Sequence, residues 1–480
     1  MKDVIIIGAG VIGAAIAREL ARYNLDVAVL EKDYDIANGT SKANSGIIHP
    51  GEDPIPGTLK ARMNIEGNKL FDQLHKELNF PFKRNGSLVL CFKQEDIDQL
   101  EILRQRGLTN GVPKESMKIL SRKEALEVEP YLSDHVVAAL YLKTGGIVGP
   151  YEMNIALAEN AAQNGVDFYL DTKVEYILPS KTGFRIGTNR GTFEGQLVIN
   201  AAGVYADEIN NSISQKKYHI TARKGEYLLL DKKEVSKTTL FQLPTHLGKG
   251  VLVTPTCHGN IILGPTALDI DNKTNVETTR EQLDAIMEKV SLTIDTRQLS
   301  GVITSFSGLR AHEAQNDFVI GEAEDVPGFI NVLGIESPGL TSAPAIGKYV
   351  AQIVEGKLKP SINLNFNPIR EGIRSFKEAS EEERKKLVDQ DKKYGHIVCR
   401  CETITEAEIL QAIRGPLGAK TVDGVKRRTR AGMGRCQGGF CMNRIVELLA
   451  EELHIELEEV RKNTAGSELL VADLKEGLEE

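Results

Sequence analysis

The first thirty-one residues admit few folds. Val4-Ile5-Ile6-Ile7 is an apolar run of the kind that a fully buried parallel strand needs. It leads without a break into Gly8-Ala9-Gly10-Val11-Ile12-Gly13, and Ala14 to Tyr23 follows with helix-favouring Ala, Arg, Glu and Leu. A second apolar run, Val27-Ala28-Val29-Leu30, ends at Glu31. This order makes a strand–turn–helix–strand unit suited to a dinucleotide. The first glycine permits a tight turn, the second lets the backbone approach a pyrophosphate, and the third lets helix and strand pack closely. The helix N-terminus faces the phosphates, while Glu31 can hold a ribose hydroxyl pair and disfavours a 2′-phosphate. The motif by itself does not separate NAD from FAD.

At 480 residues the chain is too long for one ordinary domain. Its apolar share of 41% and charged share of 26% are enough for globular cores. Lys and Arg total 59 against 67 Asp and Glu, and the net charge of −8 argues against general nucleic-acid binding. No apolar stretch reaches the roughly 18 residues of a transmembrane helix, though contact of one face with a membrane surface stays open. Val4 to Ala17 has the small apolar look of a signal-peptide core. Only Lys2 precedes it, beside Asp3, and the glycines have the turn to explain them. A cytoplasmic chain with reduced thiols is expected, so its six cysteines form no disulfide framework. Cys91 and Cys257 stand alone and read as small buried hydrophobes.

After Glu31 the chain leaves the regular strand–helix repeat usual for nicotinamide cofactors. It enters the polar stretch Gly39-Thr40-Ser41-Lys42-Ala43-Asn44-Ser45-Gly46-Ile47-Ile48-His49-Pro50-Gly51. This stretch resembles the flavin-contacting loop of the D-amino-acid-oxidase-like FAD superfamily, which includes glycerol-3-phosphate oxidases and dehydrogenases and L-2-hydroxyglutarate dehydrogenases. Three later segments match in the same order. Leu197-Val198-Ile199-Asn200-Ala201-Ala202-Gly203 looks like the second nucleotide strand, and Ser307-Gly308-Leu309-Arg310 looks like the substrate-arginine segment. The segment from Gly334 through Ser337-Pro338-Gly339-Leu340-Thr341 to Pro344 looks like the closing strand–loop–helix. The resemblance spans roughly residues 1 to 370. It implies FAD, with contacts at Gly8, Gly10, Gly13, Glu31, Thr40, Ser41, Asn44, Ser45, Gly46, Val174, Ala202, Gly203, Gly308, Gly334, Gly339, Leu340 and Thr341. It also implies an α/β architecture, a Rossmann-like FAD-binding domain interleaved with a sheet-rich substrate domain. The strand-like runs His219 to Leu230 and Gly250 to Gly264 suit that sheet. Independently of any family, small residues after an apolar strand at Asn200 to Gly203 let a ligand or backbone come close. A helix opening at Gly339 presents free N–H groups that favour negative charge.

An FAD dehydrogenase acting on an alcohol needs a base for the hydroxyl proton. His49 is the best candidate, since imidazole titrates near neutrality. The resemblance puts the glycerol-phosphate oxidases' active-site serine and histidine on Ser45 and His49. An anionic substrate also needs cations in a water-poor pocket. Arg310 is the first choice, Lys249 between two glycines the second, and Ser337 a hydrogen-bonding partner. Glycerol 3-phosphate, oxidised to dihydroxyacetone phosphate, is the favoured substrate because Lys249 and Ser337-Pro338-Gly339-Leu340-Thr341 fit that branch. Pro56-Gly57-Thr58-Leu59-Lys60-Ala61 also resembles the L-2-hydroxyglutarate dehydrogenases. An amine oxidase of the same fold would need no histidine base, and a non-catalytic redox sensor or scaffold would need no turnover at the flavin; both stay open.

The C-terminal part has a different character. Residues 371–395 read as a charged linker with a solvated helix, residues 396–460 as a separate domain and 461–480 as an acidic tail. Cys399-x-Cys401 and Cys436-x4-Cys441 are separated by 34 residues, and two close thiol pairs in a reduced chain point to metal. Zinc ribbons favour wider knuckles than Cys-x-Cys, and iron–sulfur clusters also take four thiolates. The segment from Cys399 to about Glu458 resembles the bacterioferritin-associated-ferredoxin-like [2Fe-2S] domain, although Cys-x2-Cys is commoner at the second pair. Thr403-x-x-Glu406 is expected to form a capping box on its first helix. Between the pairs, Lys426-Arg427-Arg428-Thr429-Arg430 lacks interleaved aromatics. That basic run reads as an offset to cluster charge or a dock for an acidic electron partner. A protein or quinone acceptor is expected.

Overall fold

The computed structural model describes residues 1–244, 250–295, 297 and 299–470. Strand Lys2–Ile7, helix Val11–Leu20 and strand Val27–Leu30 follow one another at the N-terminus. The first strand lies parallel to both Val27–Leu30 and Gly191–Asn200 in the middle of an eight-stranded sheet. Its uninterrupted apolar run has a simple cause, because both faces are covered. Val4 and Ile6 pack against the helices Val11–Leu20, Leu59–Leu78, Pro150–Gln163 and Gly339–Leu358. Ile5 and Ile7 face the opposite way, toward Ile177, Phe184, Ile186 and Phe329.

A second, nine-stranded sheet carries the other half of the cavity wall. Its longest pair, Ile220–Leu230 against Val302–Glu313, is antiparallel and sets Arg223 opposite Arg310. The run from Gly250 to Gly264 is two strands, Leu252–Pro255 and Ile261–Gly264, paired as a hairpin. The turn falls at Gly259, whose φ of +86° is left-handed backbone that glycine adopts at low cost.

The C-terminal domain packs three helices, Glu406–Arg414, Val422–Thr429 and Met442–Leu453, around one apolar core. The capping box lies two residues later than the sequence suggests. Thr405 Oγ1 caps Glu408 N while the Glu408 carboxylate accepts from Thr405 N at 2.8 Å. Thr403 has left-handed φ, and Glu406 turns to His396 and Arg444 instead. The charged segment before this domain forms helix Glu381–Gln390, capped by Ser380 and Glu383, with Leu387 its buried residue. Leu387 and Tyr394 pack on Ala407, so this helix rests against the domain. The stretch expected to be a tail also begins inside the fold. Carbonyls of Arg461 and Lys462 accept from the N–H groups of Val422 and Asp423, which have no acceptor within their own helix. Residues 471–480 lie outside the described residues. No helix among the described residues is long and apolar enough to cross a membrane.

Helices Leu59–Leu78 and Gly339–Leu358 meet at Gly67. A Cβ there would lie 2.1 Å from the Thr341 carbonyl oxygen, so only glycine lets the backbones touch. Gly67→Ala is expected to cost roughly 1–3 kcal/mol by forcing the helices apart, read as a lower urea midpoint than wild type.

Candidate active site

One cavity of about 2230 Å³ runs between the two sheets and on to the C-terminal domain. Its walls include Gly8, Gly10, Glu31, Thr40, Ser41, Asn44, Ser45, Gly46, His49, Val174, Ala202, Gly203, Gly308, Arg310, Ser337, Gly339 and Leu340. The structure thus gathers most of the sequence-derived candidates around one space. Gly13, Gly334 and Thr341 stand behind the wall. A Cβ on Gly13 would sit 1.9 Å from the Gly8 oxygen. Gly334 turns the chain with φ of +67°. Thr341 Oγ1 accepts from His49 N at 2.9 Å. Lys249 lies outside the described residues.

The loop from Thr40 to His49 is held at several points. Thr40 Oγ1 donates to Leu309 O at 2.6 Å, and Ser41 Oγ accepts from Val11 N at 2.9 Å. Asn44 donates to Thr40 O and Ser41 O and accepts from Gly46 N, folding the loop on itself. Ile47–Ile48 pairs with Gly146 and Ile147, and Asn64 and Asn68 donate to His49 O. His49 is therefore fixed through its backbone, leaving its ring to the cavity side. There Nε2 lies 3.3 Å from Ser337 Oγ, and the ring sits 5.7 Å from the Phe241 ring. Ser45 hydrogen-bonds Tyr227, whose hydroxyl pKa burial raises. Arg310 Nη2 donates to Thr266 O at 2.8 Å and Nε to Arg223 O at 3.3 Å, so the guanidinium plane is set before any ligand arrives.

A buried network beside Ser337 joins residues that no single motif of the sequence connects. Lys60 Nζ donates to Glu336 Oε1 at 2.8 Å and to Asn316 Oδ1 at 2.9 Å, and His312 Nδ1 lies 3.1 Å from Glu336 Oε1. Burial alone would raise the Glu336 carboxyl; His312 and Lys60 outweigh it and hold it at about 2. These residues are far apart in sequence, and only tertiary contact joins them.

The space fits a dinucleotide. Beyond its own chain neighbours a Cβ on Gly10 would meet only Ser41 Oγ, at 3.4 Å, and one on Gly203 would meet nothing within 4 Å. Such a cradle stays open when it is free of side chains. Burial pushes the Glu31 carboxyl up to about 7, aided by Asp33 and opposed by N–H donors of Ala9 and Asp33. The cysteines also fit their expected group. Cys399 and Cys401 sulfurs lie 3.8 Å apart, as do those of Cys401 and Cys436, and Cys441 adjoins Cys399. A Cβ on Gly434 would lie 2.4 Å from Cys401 Sγ. The sulfurs form a chain of pairs, and among the described residues no three metal-binding groups surround one point. A dinuclear cluster asks only two thiolates for each iron.

Residues 3–353 match the FAD dependent oxidoreductase family, and residues 397–451 match the BFD-like [2Fe-2S] binding domain. The chain belongs to the FAD dependent oxidoreductase family. It is similar to a glycerol 3-phosphate dehydrogenase of Caloramator mitchellensis, 52% identical over 99% of both chains. A glycerol 3-phosphate oxidase of Mycoplasma genitalium is 39% identical over 76% of this chain and 97% of its own. Among solved structures, the FAD-bound L-alpha-glycerophosphate oxidase of Mycoplasma pneumoniae superposes with a TM-score of 0.74 at 35% identity. That alignment covers 77% of this chain and 98% of the other. FAD is thus the cofactor of this oxidoreductase, and its last domain is of the [2Fe-2S] type.

The three arginines of the basic run turn into the protein and not toward a partner. Arg427 Nη2 donates to Asp35 Oδ2 at 2.8 Å, and Arg428 spans both Asp35 oxygens at 2.7 and 2.8 Å. All three side chains are at most 5% exposed. Arg430 donates to Glu402, Tyr151 and Asn260. Arg427, Arg428 and Arg430 therefore bind this chain's own FAD-binding part, and none is left as a surface dock. Burial would raise the Asp35 carboxyl, but Arg428 and Arg427 outweigh it and hold it below its ordinary value of about 3.9. Its stabilising effect is complete above that value and is lost as pH falls through the lower folded one. Asp35→Asn should cost about 3–5 kcal/mol by leaving two buried guanidinium groups uncompensated. The expected readout is a lower thermal midpoint at pH 7 and a smaller loss of stability on acidification below about pH 4.

Proposed function

We propose that the chain oxidises glycerol 3-phosphate at its secondary hydroxyl, giving dihydroxyacetone phosphate. The observation that carries this substrate is the 52% identity with the Caloramator mitchellensis dehydrogenase, which extends through both parts of the chain. FAD supplies the hydride acceptor. His49 takes the hydroxyl proton at Nε2, and Ser337 Oγ, 3.3 Å from it, orients the imidazole and the hydroxyl. Ser45 lies in the same wall and presents a second hydroxyl. Arg310 binds the phosphate: two of its donors are spent on carbonyls, and the charge they fix in place meets the anion in a partly desolvated space. Lys249 is the second cation of this clamp. The Lys60–Glu336–His312 network keeps the residue next to Ser337 in place.

Cys399, Cys401, Cys436 and Cys441 would hold the [2Fe-2S] cluster. A one-electron centre in the same chain lets an electron pair leave singly, toward a protein or quinone acceptor. We place the enzyme in the cytoplasm, with membrane-surface contact where the acceptor is a quinone.

Anaerobic titration of the purified holoenzyme with glycerol 3-phosphate is expected to bleach the flavin band, with L-2-hydroxyglutarate and sarcosine leaving it unchanged. Bleaching by either of those alone would replace the substrate. His49→Asn should slow flavin reduction by about 10²–10⁴-fold while FAD stays bound.

A further inference from the structure

We propose that the C-terminal [2Fe-2S] domain forms part of the FAD site, with Lys426 and Arg427 joining Lys42 in a cationic wall against the pyrophosphate. The location follows from the helix Val11–Leu20, whose N-terminus is the anion-binding end. Ser41 touches that end through Val11 N, so Lys42 comes directly beside it. Lys42 Nζ donates to Asn38 Oδ1 at 2.6 Å, and Arg427 Nη1 reaches the same oxygen at 3.5 Å. Two cations from different domains thus converge on one acceptor next to the phosphate end of the cavity. Lys426, Asp423, Asn463 and Thr464 of the C-terminal domain line that cavity too.

Arg427 lines the cavity with a side chain only 5% exposed, and its Nη groups are fixed by Asp35 and Asn38, so its charge stands at the cavity wall in one geometry. The local charge points to an anion. Asp35 faces both Arg427 and Arg428, Asp423 pairs with Lys462, and Asp33 stands near Lys42, so three acids face the five cations Lys42, Lys426, Lys462, Arg427 and Arg428. Burial, together with nearby Arg427, pushes Lys42 down to about 8 against the opposing pull of Asp423 and Asp33. Burial likewise lowers Lys426, with Lys462, Arg427 and Arg430 adding to it against Asp423. Cations destabilised in this way gain from a phosphate placed between them.

The test is the rate of FAD release from the full-length holoenzyme on dilution, followed by the fluorescence of free flavin. Lys426→Met and Arg427→Gln should each release FAD roughly tenfold faster, as expected for loss of one charge-assisted contact. Lys426→Arg should hold FAD as wild type does. Arg414→Ala, which removes a surface pair with Glu452 on the same domain, should change nothing. Cluster absorbance retained in each variant shows that the domain is still folded. Should Arg427→Gln lose its cluster, Lys426→Met decides, because Lys426 takes no part in the Asp35 clasp, which is made by Arg427 and Arg428. Wild-type release rates in Lys426→Met, with the cluster intact, would overturn the proposal.

Discussion

The cavity depends on backbone meeting backbone without a side chain between. Gly8 lies against the Ala201 oxygen, Gly13 against Gly8, Gly46 against the Val148 oxygen and Gly308 against the Ala43 oxygen. At each point a methyl group would fall within 3 Å of a carbonyl oxygen. These contacts draw the first strand, the loop from Thr40 to His49 and the strand Val302–Glu313 together around a common space. A wall built from backbone is rigid because a backbone atom, unlike a side chain, has no rotamer to change. Side chains that face inward, His49 and Arg310 among them, are then set by where the backbone already stands.

Electrostatics joins the two parts of the chain. Asp35 follows closely after Glu31, and its partners Arg427 and Arg428 come from the last domain. Burying these charges costs solvation, which only close geometry and further hydrogen bonds offset. Arg428 meets that requirement with additional bonds to Leu417 O and Gly424 O. The contact joins the last domain to the segment that follows Glu31. It also places Met433, three residues from Cys436, against Tyr151 of the cavity wall at 3.3 Å. The thiol cluster and the flavin cavity are thus neighbours within one chain.

Some of this was legible because it is local. The glycine turn, the acid at Glu31, the loop containing Ser45 and His49 and the two cysteine pairs each occupy a few consecutive residues. Local signals failed where several readings were locally equal. Thr403-x-x-Glu406 and Thr405-x-x-Glu408 both spell a capping box, and the left-handed φ at Thr403 chose the second. The basic run after Val425 reads equally as an offset to cluster charge or as a dock for an acidic partner. Nothing nearby in sequence marks Asp35 as its counterion. Lys60, His312 and Glu336 likewise carry no common motif.

The sequence alone determined the chemistry available to this protein: a dinucleotide turn, a flavin-type loop with a histidine, an arginine segment and four paired thiols. These depend on residue type and short spacing, which survive any arrangement of the rest. Only the tertiary structure decided which of those groups share a cavity, which glycines line it or stand behind it, and that the last domain closes on the first. Those outcomes depend on contacts between residues hundreds of positions apart. Their energies come from burial and from matched charges at one geometry, and neither is written in a local run of sequence.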